Sequence, residues 1–318
     1  MARGENPAPG QDVSSMGTAL QILQRDGIMP PRMTTGPRMK LDPVRLMALA
    51  IPRREVSYTD AQAMHYALAV GLGAQAESED LPFVYETAQR VVPAMATMLA
   101  FDDGWLEPGG IILKHVVHGA LDLRFHAPLA PCGVAEAVTR LTGFGDKGEG
   151  RGGLVYQETV LRQGGVDCTT VLSTMFVRGA GGFGGDSGMA PEAVPAPLGE
   201  ADLVTDVRTA PNQALLFRLL GDRNPLHADP AVAKGVGFAG PILHGACTFG
   251  IACAEALRRF CDRDPTRMTR LAARFAGPLY PGETLRFSFW RSPAGVLFRA
   301  EAKERAALVL DGGLVGLR

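Results

Sequence analysis

The chain has 318 residues, of which 46% are hydrophobic and 20% charged, and this composition suits one large domain or two domains of about 150 residues. Lys and Arg number 32 against 33 Asp and Glu, so a net charge of −1 offers no general attraction to nucleic acid or to an anionic membrane. No apolar run reaches the roughly 18 residues that a membrane-spanning helix needs.

Cysteine usage indicates a reducing compartment. The count is five, an odd number, and no two cysteines have CxxC spacing. We therefore expect reduced, packed thiols in a cytoplasmic protein, and the N-terminus lacks the apolar segment of a secretory signal. The cysteines are Cys132, Cys168, Cys247, Cys253 and Cys261.

Residues 1–38 differ in composition from the rest of the chain. The segment begins "MARGENPAPGQDVSSMG", which is polar and rich in Pro and Gly, and no periodic pattern joins it to the residues after it. We expect a disordered extension, or a start placed upstream of a true beginning at Met39.

An internal repeat organises the remainder. The segment "RFHAPLAP" (124–131) matches "RFAGPLYP" (274–281) at five of eight positions, at an offset of 150 residues. The same offset pairs Thr59 with Thr209 and Gly71 with Gly221. The sequence therefore predicts two copies of one unit, at 39–180 and 201–318.

The join between the copies, 181–200, is rich in Gly and Pro. Gly179, Gly181 and Gly184 match the GxGxxG spacing, but a dinucleotide-binding fingerprint has to open a helix. Here the Pro-rich "APEAVPAPLG" comes next instead, so a linker is the better prediction.

Each copy shows the same predicted order of elements. A short helix ("DAQAMHYALAVG" and "NQALLFRLLG") precedes an irregular segment and then a long apolar helix, which in the second copy covers about 242–260. Four strand-like runs close each copy. Antiparallel strands that come after a long apolar helix predict an α+β fold with the sheet wrapped around that helix.

Polar residues cluster in the second copy within "GDRNPLHADP" (221–230) and "GPILHG" (240–245). At the repeat offset, the positions of Asp222, His227 and His244 correspond to different residue types in the first copy. Those residues are Leu72, Glu77 and Ala94. Turn formation and a packed core histidine remain alternative explanations, but a shared scaffold would need them in both copies. We therefore predict chemistry in the second copy.

Two other kinds of site find little support. No Ser or Cys has the setting of a nucleophile, and Cys247 lies in a predicted helix with nothing to ionise it. His115 and His118 are three apart in a strand-like run, which places them on opposite faces. Asp222 and His227 lack a convincing third and fourth metal ligand, so we predict no metal.

The segments "LLGDRNPLHADP" (219–230) and "GFAGPILHGACTFG" (237–250) resemble the motif of the hydratase 2 branch of MaoC-like hydratases, the (R)-specific 2-enoyl-CoA hydratases. The segments "YTDAQAMHYALAVGLGA", "DLPFVYE", "VVHGALDLRFHAPLAP" and "RFAGPLYPGETL" are similar to the longer members, which carry two copies. The similarity covers about 40–305. Leu220 stands where members often have Ser or Thr, and "HGALDL" replaces the more usual "HGEQ".

This resemblance implies a double hot-dog fold, in which each repeat wraps an antiparallel sheet around a long helix. It also implies reversible hydration of trans-2-enoyl-CoA to (3R)-hydroxyacyl-CoA, without cofactor or metal. A histidine exchanges protons near neutral pH, and a glycine in the first turn of a helix offers a free N–H. The implied catalytic set is Asp222, His227 and Asn224, and the implied oxyanion or substrate-binding set is Gly245, Pro225 and His244.

By this resemblance the first copy has the same fold as the second but lacks the catalytic residues. Small residues in "PAMATMLA" (93–100) leave room beside its helix, so we expect the copy to accommodate a medium or long acyl chain. An acyl-CoA thioester is the expected partner, with no nucleic acid or membrane, and a homodimer is a further expectation because a hot-dog sheet has an exposed edge.

Three alternatives stay open on sequence alone. The chain resembles enzymes that act on other thioesters, with branched, dicarboxylic or carrier-protein-bound acyl groups. A catalytically silent thioester-binding protein is a second alternative, although retention of Asp222, Asn224 and His227 argues against it. Hot-dog thioesterases are a third, but their acidic residue usually lies on the helix.

Overall fold

A computed structural model describes residues 40–74, 78–192, 194, 197 and 199–318, and the predicted extension at 1–38 lies outside these residues. The first half of the described chain begins with helix α1 (Pro43–Met47), strand β1 (Arg54–Tyr58), and helices α2 (Asp60–Ala69), α3 (Leu81–Val84) and α4 (Ala96–Ala100). Five strands come next: β2 (Val116–Phe125), β3 (Gly133–Asp146), β4 (Gly152–Gln163), β5 (Val166–Arg178) and β6 (Ser187–Gly188).

The second half repeats this order with a longer helix. Strand β7 (Leu203–Arg208) precedes helices α5 (Gln213–Phe217), α6 (Pro230–Gly235) and α7 (Gly245–Phe260). Four strands close the chain: β8 (Met268–Phe275), β9 (Thr284–Ser292), β10 (Gly295–Ala302) and β11 (Ala307–Leu317). The predicted strand runs are confirmed in both halves, except that β2 begins only at Val116 and His115 lies in a 3₁₀ turn before it. Strands β1, β6 and β7 were not predicted.

Within the described part of the chain, eleven strands form one sheet. Its order is β1-β3-β4-β5-β2-β8-β11-β10-β9-β7, with β6 paired to β3, and every neighbouring pair is antiparallel. The two halves join where β2 pairs with β8, from Ala120 opposite Arg274 to Arg124 opposite Arg270. The predicted α+β architecture of two joined antiparallel sheets is confirmed, and each repeat covers one edge of the other.

Helix α7 is the central helix of the second half. Every residue from Cys247 to Leu257 is buried. A Cβ atom at Gly250 would lie 2.5 Å from a Val70 methyl and 2.7 Å from the Tyr66 hydroxyl, so only glycine lets α2 and α7 approach this closely. The helix is thus enclosed by protein on all sides, as its apolar sequence predicts.

The long helix predicted for the first copy is wrong. A 3₁₀ turn at Pro93–Met95 leads into α4, which has five residues against sixteen in α7. The turn-forming segment "FDDGWLEPGG" (101–110) ends α4, and the Asp102 carboxylate accepts a hydrogen bond from the Gly104 N–H. Trp105 and Leu106 pack in a separate apolar cluster beyond that end.

The glycine-rich segment after β5 wraps around a carboxylate of the chain itself. The N–H groups of Gly148, Gly182, Gly184 and Gly185 donate to Asp146, and they hold the pKa of that carboxyl far below its usual range. No helix comes after the glycines in the described residues up to 192, which agrees with rejecting a dinucleotide site.

The structure bears on two further predictions, packed cysteine thiols and the absence of a membrane-spanning helix. The five cysteines form no disulfide, and four of them are buried, but Cys132 is exposed in the turn before β3 and is not a packed thiol. Among the helices that the structure describes, none combines the length and the apolar character needed to cross a membrane.

A buried ion cluster ties the two halves together. The Asp80 carboxylate, 1% exposed, accepts hydrogen bonds from Arg258 and Arg263 near the end of α7 and from the Gly73 N–H. Burial alone would raise the pKa of Asp80, but these donors outweigh it and hold the pKa below its usual range. The charged form is therefore the one that stabilises the fold.

We predict that Asp80→Ala lowers the free energy of unfolding by about 3 kcal/mol, because it removes the buried carboxylate that the partly buried Arg258 and Arg263 share. The neighbouring pair Glu79–Arg263 supplies the control, since Glu79 is mostly exposed and Glu79→Ala should cost about 0–1 kcal/mol. Urea unfolding monitored by circular dichroism measures both. The difference between wild type and Asp80→Ala should shrink as the pH falls below about 4, and equal effects of the two variants would contradict this account.

Candidate active site

The polar cluster of the second copy begins at a glycine that reverses the chain. Gly221 comes after the 3₁₀ turn Arg218–Leu220 and has a φ of +129°. Gly71, its counterpart in the first copy, also has a positive φ, +90°. Side-chain-bearing residues rarely adopt this conformation, so both copies need glycine here. The turn is shared scaffold, and only the second copy places a carboxylate, Asp222, directly after it.

Asn224 and Pro225 build the turn that carries His227. The Asn224 N–H donates to Asp222 Oδ1 at 3.1 Å, and Asn224 Oδ1 accepts from the Leu226 N–H at 3.0 Å. Pro225 occupies the first position of the 3₁₀ turn Pro225–His227, where its missing N–H is not needed. These local bonds fix the loop from residue 222 to residue 227.

The tautomer of His227 is determined by one hydrogen bond. Its Nδ1 lies 2.9 Å from the main-chain oxygen of Ile242, and because a carbonyl only accepts, Nδ1 carries the hydrogen. Nε2 is then the bare nitrogen, with a lone pair available to a water or substrate proton. The residue is 8% exposed, so this lone pair lies in a largely desolvated setting.

His244 lies against His227. The two rings stack with centroids 3.7 Å apart and planes inclined by 26°, and Phe217 contacts the His244 ring at 5.0 Å. His244 Nε2 is 3.2 Å from the main-chain oxygen of Asp222 and donates to it. Its Nδ1 is buried and has no hydrogen-bond partner among the described atoms.

The structure thus brings together three residues that the sequence singled out. One carboxylate oxygen of Asp222 and one ring nitrogen each of His227 and His244 lie within 4.8 Å of one another. Such a set has the donor types of a metal site. A ring nitrogen binds a metal in the plane of its ring, however, and stacked rings 3.7 Å apart do not direct their lone pairs at one point. The arrangement therefore fits a cluster of hydrogen-bonding groups better than a metal centre.

Gly245 is the first residue of α7, directly after His244. The N–H groups of the first helical turn have no acceptor within the helix and carry the positive end of the helix dipole. A Cβ atom at Gly245 would lie 3.3 Å from the ring of Phe275, so a side chain here would crowd that ring. The N–H groups at this end of the helix are the ones that could stabilise an anionic oxygen.

Both histidines resist protonation. Burial lowers the pKa of His227, although the Ile242 carbonyl and the Asp222 charge partly offset the effect. Burial, together with the adjacent His227, lowers the pKa of His244 well below its usual range. Both rings are therefore neutral near pH 7, and each keeps one bare nitrogen.

Two residues that influence this cluster electrostatically were not predicted. Arg218 donates to the Arg223 main-chain oxygen at 3.3 Å, and its charge opposes protonation of both histidines. Desolvation lowers the pKa of His118, in the first half, and the charge of Asp222 partly offsets this effect. A β-bulge between His118 and Ala120 alters the direction of the strand there. His118 aligns with Met268 at the repeat offset. A histidine present in one copy only could therefore have drawn attention to this position, as it did for His227.

Comparison with known proteins places both halves in described families. The model of the MaoC like domain matches residues 193–311, and the model of the MFE-2 hydratase 2 N-terminal domain matches residues 56–179. The chain is 36% identical over 299 residues to 3-hydroxyacyl-thioester dehydratase Y of Mycobacterium tuberculosis, covering 87% of this chain and 98% of that protein.

Further relatives show the same extent of similarity. The peroxisomal enoyl-CoA hydratase 2 of Arabidopsis thaliana is 33% identical, with 84% of this chain and 93% of that protein covered. The crystal structure of a MaoC-like dehydratase from Phytophthora capsici superposes with a TM-score of 0.79 at 30% identity, covering 87% of this chain and 98% of that one.

We predict that His227 titrates below the value of about 6.5 expected for an unperturbed histidine, that His244 titrates well below it, and that the neutral His227 ring carries its hydrogen on Nδ1 at pH 7. Because the folded pKa values lie below the unfolded ones, protonation of the two histidines disfavours the folded state. Their neutral forms therefore leave the stability at its full value above pH ~6.5, and the stability decreases as the pH falls below that value. NMR of the protein labelled with ¹⁵N-histidine measures tautomers and midpoints. Midpoints equal to those of the urea-unfolded chain would contradict the buried arrangement.

Proposed function

Because the chain belongs to the MaoC-like dehydratase and hydratase 2 family, we propose that it is a hydro-lyase that reversibly hydrates trans-2-enoyl-CoA to (3R)-hydroxyacyl-CoA. The observation that supports this most directly is that an Asp222 carboxylate oxygen and a His227 ring nitrogen lie within 4.8 Å of each other, close to the start of α7. An acid–base pair beside a helix N-terminus is what hydration of an unsaturated thioester requires.

In the proposed reaction the oxygen of a water molecule bonds to C3 of the substrate. One water proton passes to the Asp222–His227 pair, and the pair delivers one proton to C2, so its proton count is restored at the end of the turnover. The His227 ring suits this proton transfer, because it is neutral and the Ile242 carbonyl holds its Nδ1–H. Asn224 acts by holding the turn that connects the pair.

The thioester oxygen gains negative charge as C3 is attacked, and we assign the Gly245 N–H as its donor. The first turn of α7 supplies this donor without any rearrangement, and the helix dipole adds to its effect. A donor in such a position contributes about 3–4 kcal/mol to transition-state stabilisation. The Phe275 ring beside Gly245 limits the access of bulk water.

We further propose that the first repeat, 39–180, is non-catalytic and receives the acyl chain, with 181–200 as the linker to the catalytic repeat 201–318. The short helix α4 supports this, because it fills less of the concave side of the sheet than α7 does in the second half. Trp105 and Leu106 occupy part of the space beyond α4, so the length of chain that fits has to be measured.

Substrates with other acyl groups or with an acyl-carrier protein in place of CoA use the same chemistry, and a substrate panel separates them. A silent thioester-binding protein is the remaining alternative, and loss of activity on substitution of Asp222 or His227 would exclude it. We also propose a cytoplasmic location and a homodimer. Two of the similar proteins, from Mus musculus and Arabidopsis thaliana, are named as peroxisomal.

We predict that Asp222→Asn and His227→Gln each reduce kcat for hydration of trans-2-decenoyl-CoA by about 10²–10⁴-fold, because each removes one member of the acid–base pair. Asp229→Asn is the matched control in the same loop, since asparagine preserves the cap that Asp229 provides to α6 and should leave kcat within about twofold. Loss of absorbance at the enoyl-thioester band reports the rate. Wild-type activity in both catalytic variants would refute the assignment.

We predict that acyl chains of C10 and longer are hydrated at least as efficiently as C4, and that the product has the 3R configuration. The physical reason is burial of the acyl chain, each additional CH₂ group contributing up to about 0.8 kcal/mol to binding. The measurement is kcat/KM over C4 to C16 substrates with chiral chromatography of the products. Activity confined to C4 would remove the proposed role of the first repeat, and a 3S product would refute the stereochemical proposal.

A further inference from the structure

The His244 side chain lies at a helix cap position without capping the helix. It occupies the residue before α7, yet its ring makes no hydrogen bond to the first-turn N–H groups. Its main-chain oxygen instead accepts from the N–H and the hydroxyl of Thr248, at 3.0 Å and 3.2 Å. The ring is 1% exposed, so it is held inside the protein for interactions other than helix capping.

The His244 ring contacts the main chain of Asp222 and the ring of His227. Nε2 donates to the main-chain oxygen of Asp222, and the ring face stacks on His227 at 3.7 Å. Gly245, the proposed oxyanion donor, is the next residue in the chain. One imidazole thereby connects three segments that are separate in sequence: the loop after Gly221, the turn at 225–227 and the start of α7.

The two ring nitrogens of His244 argue against a role for this residue in proton transfer. Nε2–H is engaged by a carbonyl, and Nδ1 is buried with no hydrogen-bond partner among the described atoms. A proton donor needs a labile hydrogen directed at the substrate, and neither nitrogen of the neutral ring offers one in this arrangement. A neutral ring face against His227 does, however, favour a transient positive charge on His227.

We propose that His244 is a positioning residue that fixes Asp222, His227 and Gly245 relative to one another through one hydrogen bond and one ring stack, and that it does not itself exchange a proton with the substrate. The proposal deepens the proposed hydration and rests on it for its kinetic test. It also makes a prediction about His227 that is independent of any activity.

Two substitutions separate the two contacts. His244→Gln keeps an N–H donor for the Asp222 oxygen and loses the ring, whereas His244→Phe keeps the ring and loses the donor. Each should lower kcat by about 10-fold with KM within about twofold, since misplacement of reacting groups affects the chemical step more than binding. Thr248→Val is the control: it removes the hydroxyl bond to the His244 main chain, leaves the ring in place and should not change kcat.

The ¹⁵N-histidine spectrum of His227 supplies the second measurement. In His244→Gln the pKa of His227 should fall below its wild-type value, because the stacked ring no longer favours the charged form, and in His244→Phe it should stay close to wild type. Thermal melting checks that both variants are folded. If one variant fails to fold, the other still tests the contact that it removes: the ring stack in His244→Gln or the hydrogen bond in His244→Phe.

The outcomes are distinguishable. Wild-type kcat together with an unchanged His227 titration in both variants would overturn the positioning role. An equal loss of about 10³-fold or more in both, with His227 unchanged, would also overturn it and assign proton transfer to His244. If the wild type proves inactive on every enoyl thioester, the proposed function fails, while the His227 titrations still test the stacking contact.

Discussion

The hydrogen bond from His227 Nδ1 to the Ile242 carbonyl is the interaction on which the site depends. It fixes the tautomer, orients the ring and leaves Nε2 without a hydrogen, and a ring nitrogen of His227 lies within 4.8 Å of an Asp222 carboxylate oxygen. Without this bond, a buried imidazole could present a hydrogen in place of a lone pair, and the proposed pair could not accept a proton from water. Ile242 lies shortly before the start of α7, so the same short segment orients the proposed base and leads to the Gly245 N–H.

The fold supplies rigidity to this arrangement. Pairing of β2 with β8 joins the two halves into one sheet, and buried ion pairs such as Asp122–Arg270 and Asp80–Arg258 connect them further. Helix α7 is enclosed between the sheet and the elements of the first half, so its N-terminus has a fixed position. The first half therefore supports the scaffold of the candidate site even though it has neither Asp nor His at the corresponding positions.

Much of this was predictable because the patterns involved are local or repeated. The offset of 150 residues predicted two copies, the run of apolar residues predicted α7, and the presence of Asp222 and His227 in the second copy alone singled out the candidate site. The length of α4 was not predictable from apolar content, since "PAMATMLA" satisfies a helical pattern and the turn residues that end it lie further on. The stack of His227 on His244 and the proximity of His118 depend on tertiary packing, which no spacing in the sequence records.

The most direct test of the central claim is a crystal structure of Asp222→Asn with trans-2-decenoyl-CoA bound. The account predicts the thioester oxygen at about 3 Å from the Gly245 nitrogen, with C2 and C3 facing the side chains of residues 222 and 227. A thioester bound elsewhere, with its oxygen distant from α7 or its double bond facing away from His227, would contradict it.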